Sequence, residues 1–144
     1  MKNILLIFIL VSSVFAFGQK KSKETVYLLF DNNSTEKFSK EDGSGNFNKV
    51  PKFRKEKRED FIYFRICNET FTTNKVKSFS EIRPVIDLKK LKTIDLNYLL
   101  KEYESSNEFK HHVFDKIFVV ENIKNDQIKI YEVSWLDEVL VIED

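Results

Sequence analysis

Cysteine occurs once in this 144-residue chain, so no intrachain disulfide can form and packing alone must hold the fold. Two histidines are too few for a histidine-built zinc site, which takes three or four ligands. Three glycines and two prolines exclude collagen-like and low-complexity chains. They also exclude the usual phosphate loops. Gly43-Ser44-Gly45 lacks the third glycine of a dinucleotide fingerprint, and no Gly-Lys-Ser/Thr follows it. A Gly-x-Ser-x-Gly nucleophile elbow is missing too. An excess of one charge sign is also lacking. The formal net charge is +1, which argues against nucleic acid as a partner bound by bulk charge.

What is present begins with an address. Met1-Lys2-Asn3 is a short positive start, and the apolar stretch from Ile4 to Phe17 contains Ser12 and Ser13. A spanning helix needs about 20 apolar residues, so this stretch is too short for one. Ala16 and Gly18 are small, as a signal-peptidase site requires, and polarity switches at Gln19-Lys20-Lys21. The pattern predicts a signal peptide over 1–18, cleaved before Gln19, and a single domain over 19–144. The protein is therefore expected in the periplasm or outside the cell, with no membrane span in the mature chain. Lys2 is the sole charge in the leader, so the remainder carries equal numbers of basic and acidic residues.

The rest reads as α+β. Thr25 to Phe30 is β-branched and aromatic, and predicts a strand buried on both faces. Asp31 to Asn48 is polar and predicts a long loop, with at most a turn near Phe38. Asp60 to Asn68 alternates as a strand, with Phe61, Tyr63, Arg65 and Cys67 on one face and Ile62, Phe64 and Ile66 on the other. Cys67 then reads as a buried structural thiol. Thr70 to Phe79 has a looser β composition. Leu96, Leu99, Leu100 and Tyr103 follow helical spacing, with Thr93 as the expected cap and Asp95 in the first turn. Asn107 is expected to cap a short second helix through Val113. Lys116–Ile123 and Gln127–Trp135 flank Lys124-Asn125-Asp126 and predict a hairpin. Val139 to Ile142 would add a final short strand. The expected fold is a mostly antiparallel sheet of about five or six strands, with one main helix and a short second helix on one face. Leu28, Phe30, Phe64, Ile66, Leu99, Leu100, Val119, Val120 and Val133 are the expected core.

Three constellations bear on chemistry. His111-His112 offers a general base, with Glu108 or Asp115 near enough in sequence to orient it and Ser105 and Ser106 nearby. Adjacent residues on a helix or strand point apart, so the pair does not chelate a metal. Asp31, Asn33, Thr35 and Asp42 put oxygen donors at intervals resembling a calcium loop. Glu36 stands where such a loop needs glycine, however, and the twelfth-position glutamate is missing. The sharpest feature is charge. Lys49 to Arg58 holds six basic residues and one acid, while Tyr131 to Asp144 holds five acids and no Lys or Arg. Lys52, Arg54, Lys55, Lys57 and Arg58 are the candidate binding residues, facing a polyanion such as an anionic glycan, lipid headgroups or nucleic acid. The same run also serves as a solvated edge that stops sheets from pairing.

No catalytic motif or cofactor site emerges, so the sequence points to a non-catalytic binding or interaction module with a protein or anionic ligand as partner. Two alternatives stay open. One is a small hydrolase using His111 or His112; the other is an inhibitor or immunity-type protein that binds another protein.

Overall fold

The computed structural model describes residues 23–43 and 58–137. Eight strands form in this order: β1 (Thr25–Phe30), β2 (Phe38–Asp42), β3 (Phe61–Ile66), β4 (Glu69–Asn74), β5 (Ser80–Pro84), β6 (Thr93–Ile94), β7 (Lys116–Ile123) and β8 (Gln127–Trp135). One α-helix, α1 (Leu96–Glu104), lies among the described residues, with 3-10 turns at Arg58–Asp60, Val85–Lys90 and Lys110–His112. The chain is thus mixed α and β, and its sheet is mostly antiparallel, as expected. Five or six strands was too few. β2 has one apolar side chain, β6 is two residues long, and β5 pairs along one side only; none shows the alternation that marks a half-buried strand.

The strand order is β2-β3-β4-β8-β7-β1-β6, with β5 also paired to β8. β8 is long enough to serve two partners on one side. Its first half pairs with β5 from Ser80↔Tyr131 to Pro84↔Gln127. Its end pairs with β4 at Thr72↔Ser134 and Phe71↔Trp135. β4 therefore leaves β8 where β5 joins it, and the sheet forks. β1 is inserted in parallel between β7 and β6, a pairing that local sequence does not encode.

Period-2 alternation places the core. Val26, Leu28 and Phe30 of β1, Ile117 and Val119 of β7, and Tyr131, Val133 and Trp135 of β8 line one face. Leu99 of α1 and Phe64, Ile66 and Phe71 of β3 and β4 close over it. The rings pack mostly edge-on: Phe30 meets Phe64 at 5.4 Å, and Tyr103 meets Trp135 at 5.4 Å. On the other face Phe118, Val120, Ile128 and Ile130 pack under Tyr27, Leu88 and Leu91. Of the expected core, Leu100 alone is only half-buried. β1 is not buried on both faces either, since Leu29 points outward and is 47% exposed.

The helix begins two residues later than expected. Thr93 is drawn into extended pairing with Tyr27, so Asp95 becomes the cap and accepts from the Tyr98 N–H at 2.7 Å. The Asn107–Val113 helix shrinks to the 3-10 turn Lys110–His112, with Phe109 before it and no side-chain cap. Cys67 is exposed, contrary to the buried reading. Ile66 pairs with Glu69, so Cys67 and Asn68 must form a two-residue turn. Cys67 takes φ 53°, and its N–H donates to Lys37 O at 2.6 Å. The expected strand at Val139 to Ile142 and the leader over 1–18 lie outside the described residues. No helix among the described residues is long and apolar enough to cross a membrane.

Candidate functional site

The fork in the sheet makes a cleft. As β4 diverges from β8, the β2-β3-β4 layer folds over the face of β7 and β8. Lys40 of β2 reaches across and ties the two layers together. Its ammonium donates to Glu121 Oε2 of β7 at 2.6 Å and to the Tyr131 hydroxyl at 3.1 Å. Tyr131 in turn donates to Glu121 at 3.0 Å. Glu121 is 6% exposed, a carboxylate held inside a sheet layer by two donors. Burial pulls the Lys40 ammonium toward neutrality, but the bonds to Glu121 and Tyr131 outweigh it and leave its pKa raised. Burial, reinforced by the Glu121 charge, raises the Tyr131 phenol against the opposing effect of Lys40. At neutral pH Lys40 is therefore an ammonium and Tyr131 a neutral phenol.

Outside this tie lies a cleft of about 260 Å³, lined on its β2-β3-β4 side by Asp42, Ile62, Thr73 and Asn74 and on its β5-β8 side by Ser80, Lys129 and Tyr131. Lys75 and Ser78, on the segment that crosses from β4 to β5, complete it. Lys75 is engaged, donating to Asp42 at 2.5 Å and to Glu59 O at 2.7 Å. Lys129 stands over the Tyr131 ring at 4.9 Å and forms no ion pair among the described residues. Asn74 is 9% exposed, and its side-chain oxygen accepts from the N–H groups of Val76 and Lys77, both at 2.9 Å.

A second paired lysine, this one buried, lies at the far end of β8. Lys110 donates to Glu69 Oε2 at 2.7 Å, and the Trp135 indole N–H donates to the same oxygen at 2.6 Å. The Lys110 ammonium stands 5.2 Å from the Trp135 ring and 5.7 Å from the Tyr103 ring. Next to it, His111 Nδ1 lies 3.3 Å from Asp137 Oδ2, and the His111 and His112 rings are 4.0 Å apart. The histidine is oriented by Asp137, not by the expected Glu108 or Asp115. Ser105 and Ser106 are not poised as nucleophiles, since their hydroxyls donate to Glu102 O and Tyr103 O at the helix end.

Of the sequence-predicted binding residues, Lys52, Arg54, Lys55 and Lys57 lie outside the described residues, and Arg58 is placed by its backbone alone. On either side of that segment, Gly43 N–H donates to Phe61 O at 2.9 Å, where β2 pairs with β3, next to Asp42 and Ile62 of the cleft. Asp31 Oδ1 caps its own turn by accepting from Asn33 N–H at 2.9 Å, and Asp42 pairs with Lys75, so the calcium donors are used locally. Among the described residues no group of three or more His, Cys, Asp or Glu is placed to hold a metal ion. Sequence reasoning missed Lys40, Asn74, Ser78, Glu121 and Lys129. The one local signal was Asn74, whose Asn-Lys-Val-Lys-Ser setting suits a side-chain-capped turn. No known family matches this chain, nor does any curated protein or solved structure.

Proposed function

We propose that the protein is an exported, non-catalytic binding module that engages an anionic partner through Lys52, Arg54, Lys55, Lys57 and Arg58. One observation supports the reading: the residues that flank this segment, Gly43 and the turn at Arg58–Asp60, stand next to Asp42 and Ile62 of the fork cleft, where Gly43 N–H donates to Phe61 O. Lys75 and Lys129 line that same cleft, so a segment of like charge acting near it would add to their field. Such clustering favours charge-steered encounter even in a chain with almost no net charge.

Binding to heparin, anionic vesicles and a DNA duplex, measured across a salt series, tests this. Wild type should bind at least one of them, with affinity falling steeply as salt rises. The Arg54→Ala/Arg58→Ala double variant should bind more weakly while melting at the wild-type temperature. No salt-sensitive binding to any of the three removes the proposal. Export is checked by mass spectrometry of protein recovered outside the cytoplasm, where an N-terminus at Gln19 is expected.

The His111–Asp137 pair supports a second reading, a small hydrolase. The capping bonds of Ser105 and Ser106 weigh against it, because neither hydroxyl is presented to the imidazole as an acceptor-activated nucleophile.

A further inference from the structure

We infer that the fork cleft is itself a binding site for one acidic sugar unit, whose carboxylate or sulfate is held by Asn74, Ser78 and Lys129. The inference rests on the reading of the protein as a binding module. It does not depend on the basic segment.

Asn74 has one acceptor oxygen and two N–H donors. Its oxygen is consumed by the backbone N–H groups of Val76 and Lys77. That fixes the amide plane and leaves the NH2 group without an acceptor among the described residues. No polar side-chain atom among the described residues is both sealed and unbonded, so this nitrogen keeps an open side, and the cleft is the open space that Asn74 lines. Ser78 is in the same condition. Its oxygen accepts from Asn74 N–H at 3.1 Å, which leaves its own hydrogen to donate. Lys129 adds an ammonium with no carboxylate partner among the described residues. Three donors with spare hydrogens and one uncompensated positive charge demand an acceptor carrying about one negative charge. Asp42, the carboxylate on the wall, does not meet that demand, because Lys75 already holds it.

The rest of the lining selects the class. Thr73, Ser80 and the donors above are polar, and Ile62 is the one aliphatic side chain present. Tyr131 is 4% exposed, and the Lys129 ammonium stands over its ring, so no aromatic face is offered to a nucleobase. There is likewise no apolar trough for an acyl chain. A volume of about 260 Å³ lies at the small end for ligand clefts and suits one sugar ring. A hydroxyl-bearing ring with a single oxyanion fits both the size and the donors.

Titration of the full chain with glucuronate, followed by ¹H–¹⁵N NMR, tests the site, with glucose and sodium chloride as controls. Saturable shifts at Asn74, Ser78, Ser80 and Lys129 are expected with glucuronate, and neither control should reproduce them. Lys129→Gln should weaken binding about tenfold, the scale of one charged hydrogen bond. Asn74→Asp keeps the oxygen that caps Val76 and Lys77 but replaces the donors with a negative charge, so it should fold and bind no glucuronate. Arg54→Ala/Arg58→Ala should bind glucuronate as wild type does. Loss of heparin binding in that variant with the cleft intact would separate the two sites. Shifts that chloride reproduces, full binding by Asn74→Asp, or saturable shifts at these residues with phosphatidylglycerol vesicles but not glucuronate would each overturn the assignment.

Discussion

Among the described residues two lysines pack against β8, and they are built from the same parts. Lys40 pairs with Glu121 and stands over the rings of Phe64 and Tyr131; Lys110 pairs with Glu69 and stands over Tyr103 and Trp135. Each glutamate also accepts from the aromatic residue of β8, the Tyr131 hydroxyl in one case and the Trp135 indole in the other. The difference is in what surrounds them. Both partners of the Lys110 pair are about nine-tenths buried, and the pair seals the Trp135 end of the core. Lys40 keeps 31% of its side chain in solvent and stands beside the cleft. The same chemistry thus locks one end of the sheet and leaves the other end open where it forks. A polar cluster inside a fold is not by itself a functional site. The spare donors beside it, on Asn74, Ser78 and Lys129, are what set the fork end apart and carry the proposal of binding there.

The largest expected effect is at the closed end. Glu69→Ala leaves the Lys110 ammonium and the Trp135 N–H without an acceptor in a sealed space. Urea unfolding should show a loss of about 3–5 kcal/mol. At the open end, Lys40→Met keeps the aliphatic stem on the rings and removes the charge. Lys40 is itself 31% exposed and Tyr131 still donates to Glu121, so the loss should be smaller, about 1–3 kcal/mol. Equal losses in the two variants would break the distinction between a sealed and an open pair.

Much of this was legible and much was not, for reasons that differ by residue. β1, β3 and the β7–β8 hairpin were readable because branched and aromatic residues alternate there, and because Asn125 and Asp126 tolerate the positive φ of their turn, 64° and 52°. β2 was missed because Phe38-Ser39-Lys40-Glu41-Asp42 has no apolar alternation; its pairing with β3 makes it a strand. Thr93 was misread as a cap because its extended pairing to Tyr27 comes from a strand far away in the chain. The buried charges were invisible for the same reason. Lys40 and Glu121 are 81 positions apart, and Lys110 and Glu69 are 41 apart. The basic segment was the opposite case, plain in sequence but, Arg58 apart, outside the described residues.

The third prediction is alkaline lability of the open end. Lys40 and Tyr131 both have pKa values raised in the folded state. A raised pKa means that the folded protein holds its proton more tightly than the unfolded chain does. The stabilisation is complete below the unfolded value and fades as pH rises through the folded one. The melting temperature should therefore fall above about pH 10, where both groups ordinarily titrate. Lys40→Met should flatten that fall, and a wild-type profile that stays level to pH 11 would contradict the Lys40–Glu121–Tyr131 contacts. The smallest effect lies outside both clusters. Cys67→Asn relieves a left-handed position that asparagine tolerates better, so it should stabilise by about 0.5–1 kcal/mol. The exposed thiol should also label as fast in the native state as in denaturant.

The central proposal is that the fork end of the sheet, and not the Lys110 end, binds the anion. Mapping ¹H–¹⁵N shifts of the full chain with a short heparin oligosaccharide tests it most directly. Asn74, Ser78, Ser80 and Lys129 should move together along one binding curve, while Lys110 to His112 stay still. Shifts centred on Lys110 to His112, with none at Asn74, Ser78 and Lys129, would contradict it.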